Sequence, residues 1–347
     1  MVVGAGVAGL ACARELGRRG VPAVVLERAR GVGGRCATRW IEGQPVDFGL
    51  PFLHAASREF ARELSALPDD GRVPGWPQRV REPRLACQPD AFQPGRRRMA
   101  RRAGVNELPR HLAAGLDVRC STRVVSLVAE SDRVTALTRD GARFTAPFVV
   151  LATEPTEAGA LVAPLVRDWP RAAAGLAGLA ALPVVRTLTV IAGYPRSVPA
   201  PVFDLGHPLE ATMVHAFVFD DTKRPEPRDR VLVVHARHAF SVERWDRDEA
   251  EWSAELLWET AELLGAWAAH PRWLRTHRWH CARVRRGRSL GDLLTFESPA
   301  GACVSLCGEA FAAADGLEGA YLSGMALAEQ IATLPRVRGM LRPSGAR

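Results

Sequence analysis

The chain has 347 residues, 47% of them apolar, which is enough for a large core and two intergrown domains. Its formal net charge is +8, but 45 of its 46 basic residues are arginine and Lys223 is the one lysine. So uniform a bias reads as compositional, not as a nucleic-acid footprint. There is no run of about 18 apolar residues to span a bilayer, and no basic segment precedes the apolar start as a secretory signal would require. The seven cysteines (Cys12, Cys36, Cys87, Cys120, Cys281, Cys303 and Cys307) form neither a C-x-x-C nor a zinc pattern. A reduced, cytoplasmic, metal-free protein is expected, with no nucleic-acid partner.

Val2-Val3 reads as a strand stub that runs into Gly4-Ala5-Gly6-Val7-Ala8-Gly9. The strand is short, so the natural start is expected slightly upstream. A G-x-G-x-x-G run suits an abrupt strand-to-helix turn: Gly4 turns tightly, Gly6 lets a pyrophosphate approach the backbone, and Gly9 lets helix and strand pack closely. Ala8 lies in the first helical turn, where free amides at the positive end of the helix dipole hold an anion. Leu10, Ala13 and Leu16 recur at helical spacing, Gly20 stops the helix, and Ala23 to Leu26 is a second strand. Glu27 ends it, 18 residues past Gly9, placed to accept from both hydroxyls of an adenosine ribose. This fingerprint alone does not separate NAD from FAD. Gly33-Gly34 follows, either a plain turn or a passage hard against a cofactor, and Arg35 is either a solvated charge or a bidentate phosphate ligand.

Arg96-Arg97-Arg98-Met99-Ala100-Arg101-Arg102 is the one basic cluster, read as a solvated loop or as a surface for an anionic substrate. Val118 to Ala152 holds short β-branched runs with a hairpin turn at Asp140-Gly141 and a buried strand at Phe148 to Ala152. Further β runs fall at Thr187 to Ile191, Met213 to Phe219 and Arg230 to Ala236, with His215 and His235 as core histidines. Asp248 to Ala269 has helical spacing at Trp252, Leu256, Leu263 and Trp267. Ala302 to Leu306 is a buried strand, then Gly308-Glu309, and Gly316-Leu317-Glu318-Gly319-Ala320 opens a helix. Cys36, just after Arg35, is a core thiol or a redox residue. No internal repeat is present.

Arg30-x-x-Gly33-Gly34-Arg35-x-x-Thr38 resembles the R-x-x-G-G-R-x-x-[S/T] signature that follows the ribose-binding acid in the flavin amine oxidase superfamily. Val46-Asp47-Phe48-Gly49 resembles its D-x-G near the flavin ring, with Leu50-Pro51 where Ala-Gln is commoner, and Gly104 to Leu112 is similar to its G-M-x-x-L-x-x-x-L helix start. At the carboxyl end, Gly308-Glu309 and Glu318-Gly319-Ala320 resemble the segment of renalase-like flavoproteins that touches the pyrophosphate and the flavin pyrimidine. There Glu309 replaces the usual Asp, and residues 310–315 are differently spaced. Asp220 to Pro225 and His277 to Ala282 are similar to a lysine-proline turn and an H-R-W-x-x-A segment of bacterial renalase-like proteins.

The resemblance implies FAD as cofactor. It implies that Arg28 and Val124 join the fingerprint residues at the adenosine, and that Gly308, Glu309, Glu318, Gly319 and Ala320 meet the flavin side. The expected fold is α/β: a Rossmann-like, glutathione-reductase-type domain with a β-meander crossover (residues 1–60, 103–160 and 295–335) and an α+β substrate domain (61–102 and 161–294). The expected function is oxidation of a small reduced substrate, anionic in the reading that uses the basic loop. Hydride would pass to flavin N5, with reoxidation by oxygen or another acceptor, and a dihydronicotinamide isomer is the leading substrate. A flavin amine oxidase is the alternative, and a non-catalytic FAD-binding or redox-sensing protein is the alternative from another class. Lys223, Arg278, Trp279 and His280 are the side chains proposed for direct chemistry.

Overall fold

The computed structural model describes residues 1–167, 169, 172–335 and 337, and it divides into two compact units. The first comprises Met1–Gly34, Leu108–Pro183 and the segment from Val284 onward; the second comprises Arg35–Glu107 and Val184–Arg283. The division differs from the sequence expectation over residues 35–60 and 103–107, which fall in the second unit, and over 161–183 and 284–294, which fall in the first. Residues 35–60 group with the second unit because their strands and loops build its core, and residues 161–183 group with the first, where Leu161, Val162 and Leu165 join the core around Val149 and Val304.

In the first unit Val2–Val3 is the centre of a six-stranded sheet, in the order Leu294–Glu297, Cys303–Leu306, Phe148–Leu151, Val2–Val3, Val24–Leu26, Asp117–Arg119. All neighbours are parallel except the outermost pair of Leu294–Glu297 with Cys303–Leu306. Strands buried on both faces read as continuous apolar runs, which is why FVVL and CVSL were legible. Helix Val7–Arg18 follows the first strand, and helix Gly316–Thr333 packs against it so closely that a Cβ at Gly324 would run into the Ala8 carbonyl. A three-stranded antiparallel sheet (Val124–Glu130, Arg133–Thr138, Arg143–Ala146) forms the meander, turning at Gly141 with φ +88°.

The second unit centres on another six-stranded sheet: Trp273–Val284, Val184–Tyr194, Arg230–Ala236, Val214–Phe219, Leu205–Gly206, Val80–Arg81. Strand alternation gives it two faces. Leu188, Val190, Leu232 and Val234 point to a core shared with Trp252 and Leu256 of helix Glu249–Leu264. Ile191, Val231 and Val233 point the other way, to a core built with Ile41, Val46, Phe52, Trp76 and Ala100. Gly265, at φ +108°, ends the helix and splits the expected 248–269 segment into an α-helix and the short 3₁₀ turn Ala266–Ala269. Among the described residues no helix is long and apolar enough to cross a membrane, and no group of three or more His, Cys, Asp or Glu side chains is arranged to hold a metal.

Candidate active site

The amino-terminal turn is built as its glycines require. Gly4 has φ +105°, and a Cβ there would lie 2.8 Å from the Ala152 carbonyl oxygen; a Cβ at Gly9 would run into the Gly4 carbonyl. Those two glycines answer to packing inside the protein. Gly6 does not: its backbone (φ −74°, ψ 174°) suits any residue, yet a Cβ there would meet nothing within 4 Å. The chain leaves open space in front of Gly6, at the start of a helix whose first residue carries no side-chain cap. Gly33 donates to the Ala5 carbonyl at 2.9 Å and bridges Gly6, while Gly34 (φ +56°) passes beside the Gly6 Cα, so the glycine pair borders the same opening.

Glu27, 9% exposed, is held at the end of its strand by two backbone amides, Ala5 N to Oε2 and Ala29 N to Oε1, each at 2.7 Å. A carboxylate has about four acceptor positions, so two remain for a pair of ribose hydroxyls. Arg28 forms a two-contact ion pair with Glu157 at 2.9 and 3.1 Å. Val124 is buried at the start of the meander, its side chain in the core and its backbone near the bulge before Ser126. Ala8 is buried in the first helical turn. The open cradle at Gly6 and the spare acceptor positions of Glu27 fit the adenosine and pyrophosphate of a dinucleotide such as FAD.

At the other end of the first unit, Gly308 adopts φ +145° with open space where a Cβ would stand, and its amide donates to Ser323 Oγ at 2.8 Å. Ser323, not singled out by the sequence reading, thus anchors the turn at Gly308. Glu309 is buried and accepts from the Gly316 amide at 3.2 Å, so the extra methylene relative to Asp lets it reach the start of helix Gly316–Thr333. Gly319 is filled from within the protein, because a Cβ there would run into the Ala314 carbonyl. Glu318 and Ala320 are buried in the same first turns of the helix.

In the second unit, motifs that looked separate in the sequence converge on one buried ionic group. Lys223, fully buried, places Nζ 2.6 Å from Asp47 Oδ2, 2.9 Å from Asp220 Oδ1 and 2.8 Å from the Pro51 carbonyl, above the face of Trp76. Arg224 pairs with the same two carboxylates at 3.0 and 2.8 Å and donates to the Arg101 and Arg102 carbonyls. Asp47 also accepts from Thr38 Oγ1 and the Val105 amide. Burial opposes its charge, yet Lys223 and Arg224 outweigh the penalty and hold its pKa below the ordinary value. All three ammonium protons of Lys223 therefore have acceptors, and the lysine ties Asp47, Pro51 and Asp220 together.

Arg278, Trp279 and His280 lie on a strand, so Arg278 and His280 share one face and Trp279 takes the other. Arg278 donates to the Trp245 and Arg247 carbonyls and to Glu249, and His280 packs edge-on to Trp245, both on the helix-covered face. Trp279 points to the opposite face, stacked on Phe48 (centroids 5.4 Å apart, planes 23° apart) with His277 at 4.2 Å, and its buried indole Nε1 has no hydrogen-bond partner among the described residues. A Cβ at Gly49 would run into the Arg35 carbonyl and sit 3.1 Å from Trp279, so the D-x-G glycine lets the chain pass between the backbone at Arg35 and this aromatic group. Arg35 donates to the Ala282 carbonyl at 3.2 Å. Cys36 is a buried thiol donating to the Val105 carbonyl, and burial pushes its pKa up, away from thiolate chemistry. The basic run 96–102 is dispersed: Arg101 is buried and paired with Glu107, Arg98 donates to the Ala91 carbonyl and Arg96 to that of Ala56.

Comparison with known proteins gives the family. Residues 2–65 match the NAD(P)-binding Rossmann-like domain, and residues 82–332 match the family described as flavin containing amine oxidoreductase. Over 59 residues the chain is 42% identical to Probable polyamine oxidase 4 of Arabidopsis thaliana (17% of this chain, 12% of that protein). Over 53 residues it is 51% identical to the Mycobacterium tuberculosis protein AofH, whose name is that of a flavin-containing monoamine oxidase (15% and 12%). These stretches span about an eighth of the curated relatives. Among solved structures, the cyclohexylamine oxidase of Brevibacterium oxydans IH-35A superposes with TM-score 0.67 at 16% identity, over 95% of this chain and 98% of that one. Putrescine oxidase bound to putrescine gives TM-score 0.63 at 17% identity, over 95% and 98%. With the family match spanning most of its length, the chain belongs to the flavin containing amine oxidoreductase family, and its cofactor is FAD.

Proposed function

We propose that this protein is an FAD-dependent amine oxidase. The observation that carries the reading is the family match over residues 82–332, joined to a first unit whose Gly6 cradle and Glu27 carboxylate suit an adenine dinucleotide. The relatives named above carry amine and polyamine oxidase names, and this favours an amine over the dihydronicotinamide isomer that the renalase-like motifs brought forward. FAD, when bound, supplies the hydride acceptor. The residues of this chain hold and orient it: Gly4 and Gly9 set the turn, Gly6 and the Gly33-Gly34 pair leave room for the phosphates, and Glu27 takes the ribose.

In the second unit, the half-buried His277 and Trp279, backed by buried Phe48, offer an aromatic surface to an apolar amine body. The lone lysine acts as a structural ion, since all three of its protons are committed. The test is anaerobic mixing of the yellow holoprotein with a panel of primary and secondary amines and dihydronicotinamides. Bleaching with amines supports the proposal. Bleaching only with dihydronicotinamides, or with nothing in the panel, refutes it.

A further inference from the structure

Helix Glu249–Leu264 buries Trp252 and Leu256 against the second unit's sheet and turns its other face outward. On that face Glu251, Glu255, Trp258 and Glu262 fall at positions i, i+4, i+7 and i+11, within about 60° of one another around the axis, so they form one stripe. Trp258 stands in it 61% exposed. Arg244 holds Glu255 at 3.0 Å, but Glu251 and Glu262 have no ion-pair partner among the described residues, although the chain carries 45 arginines that could supply one. An exposed tryptophan by itself is ordinary. One set among carboxylates left without counter-charge is not.

The same unit carries a complementary hollow. Helix Arg58–Ser65 starts at its Ser57 cap and turns Phe60 and Leu64 inward, which leaves Arg58, Ala61, Arg62, Ser65 and Ala66 lining an open groove of about 510 Å³. Small side chains lie between two exposed guanidinium groups one helical turn apart, and neither arginine has an ion-pair partner among the described residues. Glu59, about 100° round the helix from Arg58, does not line the groove. Trp40, the other strongly exposed tryptophan, lacks such a setting: Arg39 beside it lies over Phe48, and Glu42 is paired with Arg275.

We propose that copies of this chain associate by seating Trp258 of one copy in the Arg58–Ala66 groove of another, with Glu251 and Glu262 meeting the groove's two arginines. Knob and groove are both open on a single copy, so it takes a second copy to close them. Arginine stacks on an aromatic face as readily as it pairs with a carboxylate, so the two guanidinium groups hold indole and glutamate together. Tryptophan and arginine are the side chains that anchor interfaces, and opposite charge selects the partner. Because unlike surfaces meet, the contact runs head to tail, or is exchanged between two copies around a two-fold axis. An indole buries about 150–250 Å², well under the roughly 800 Å² per partner of a standard stable interface, so the association is weak and salt-dependent. It is independent of the chemistry proposed above.

The test is sedimentation equilibrium of the FAD-loaded protein at low and high concentration, in low and in high salt. Wild type is expected to self-associate at high concentration and to return to monomer in high salt. Trp258→Ala is expected to weaken association by about tenfold or more while melting with the wild type. Two double variants decide the pairing: Arg58→Glu/Arg62→Glu, whose groove is acidic, and Glu251→Arg/Glu262→Arg, whose stripe is basic. Each alone is expected to be monomeric, since like charges then face each other. Mixed in equal amounts they are expected to associate, because the native stripe meets the native groove and the reversed stripe meets the reversed groove. Wild type that stays monomeric at every concentration overturns the proposal and leaves the groove to a different partner. So does association that Trp258→Ala leaves intact, or reversed variants that melt with the wild type and do not associate on mixing.

Discussion

Replacing Lys223 with Met keeps the length of the side chain and its stacking on Trp76 while removing one positive charge from the buried ionic group. In the native protein two carboxylates, Asp47 and Asp220, face two cations, Lys223 and Arg224, with almost no solvent exposure. The variant leaves two anions against one cation and strips the Pro51 carbonyl of its donor. Breaking a buried ion pair by removing one partner costs about 3–5 kcal/mol. Arg224, Thr38 and the Val105 amide still serve Asp47, so the lower end, about 3 kcal/mol, is expected. In a chain of this size that corresponds to a drop of roughly 4 °C in Tm. The assay is calorimetric melting of holoprotein, with turnover measured well below the transition. Lys223→Met is expected to melt early yet retain turnover, and the double variant Lys223→Met/Asp220→Asn, which restores charge balance, is expected to recover at least half of the loss. A Lys223→Met protein that melts with the wild type but has lost turnover would show that the lysine acts on the chemistry, and the reasoning here would be wrong.

Gly6→Ala and Gly9→Ala are expected to behave oppositely. A Cβ at Gly6 enters open space, so apoprotein melting stays unchanged while FAD affinity, read by fluorescence titration, falls about tenfold or more, equivalent to about 1.4 kcal/mol. At Gly9 it meets the Gly4 carbonyl, so the apoprotein itself loses about 1–3 kcal/mol. Glu27→Gln turns one acceptor into a donor facing a backbone amide and is expected to cost about 1–3 kcal/mol together with weaker FAD binding; unchanged affinity in that titration would remove Glu27 from the ribose site. Burial, with basic neighbours adding to it, lowers the pKa of His235 and His277 to about 4 and of His215 to about 3, whereas the unfolded chain protonates near 6.5. A base whose folded pKa is depressed is fully compatible with folding above the unfolded value, and the unfolded state gains protons first as pH falls. Stability should therefore be lost between about pH 6.5 and 4, by up to about 3 kcal/mol for His235. Chemical denaturation at pH 7 and pH 4.5 measures it, and His235→Gln should flatten the slope.

The sequence by itself determined the parts of this protein whose constraint is local. A strand, a helix start and an acid at the end of the next strand must follow one another within about 30 residues to hold a dinucleotide, so Gly4, Gly6, Gly9 and Glu27 could be recognised as a set. Doubly buried strands such as Phe148–Leu151 and Cys303–Leu306 declared themselves as apolar runs. Strand Trp273–Val284 did not, because one of its faces meets aromatic rings while the other offers arginine and histidine to helix ends, which hides the alternation behind charge. That strand also splits Arg278, Trp279 and His280, which look like one group when read as letters. Only the tertiary structure decided that Thr38, Asp47, Val105, Asp220, Lys223 and Arg224 share one buried ionic group. The reason is that a charge's partner is chosen by the pairing register of strands far apart in the chain, and the energy of that choice appears only once both are taken out of water.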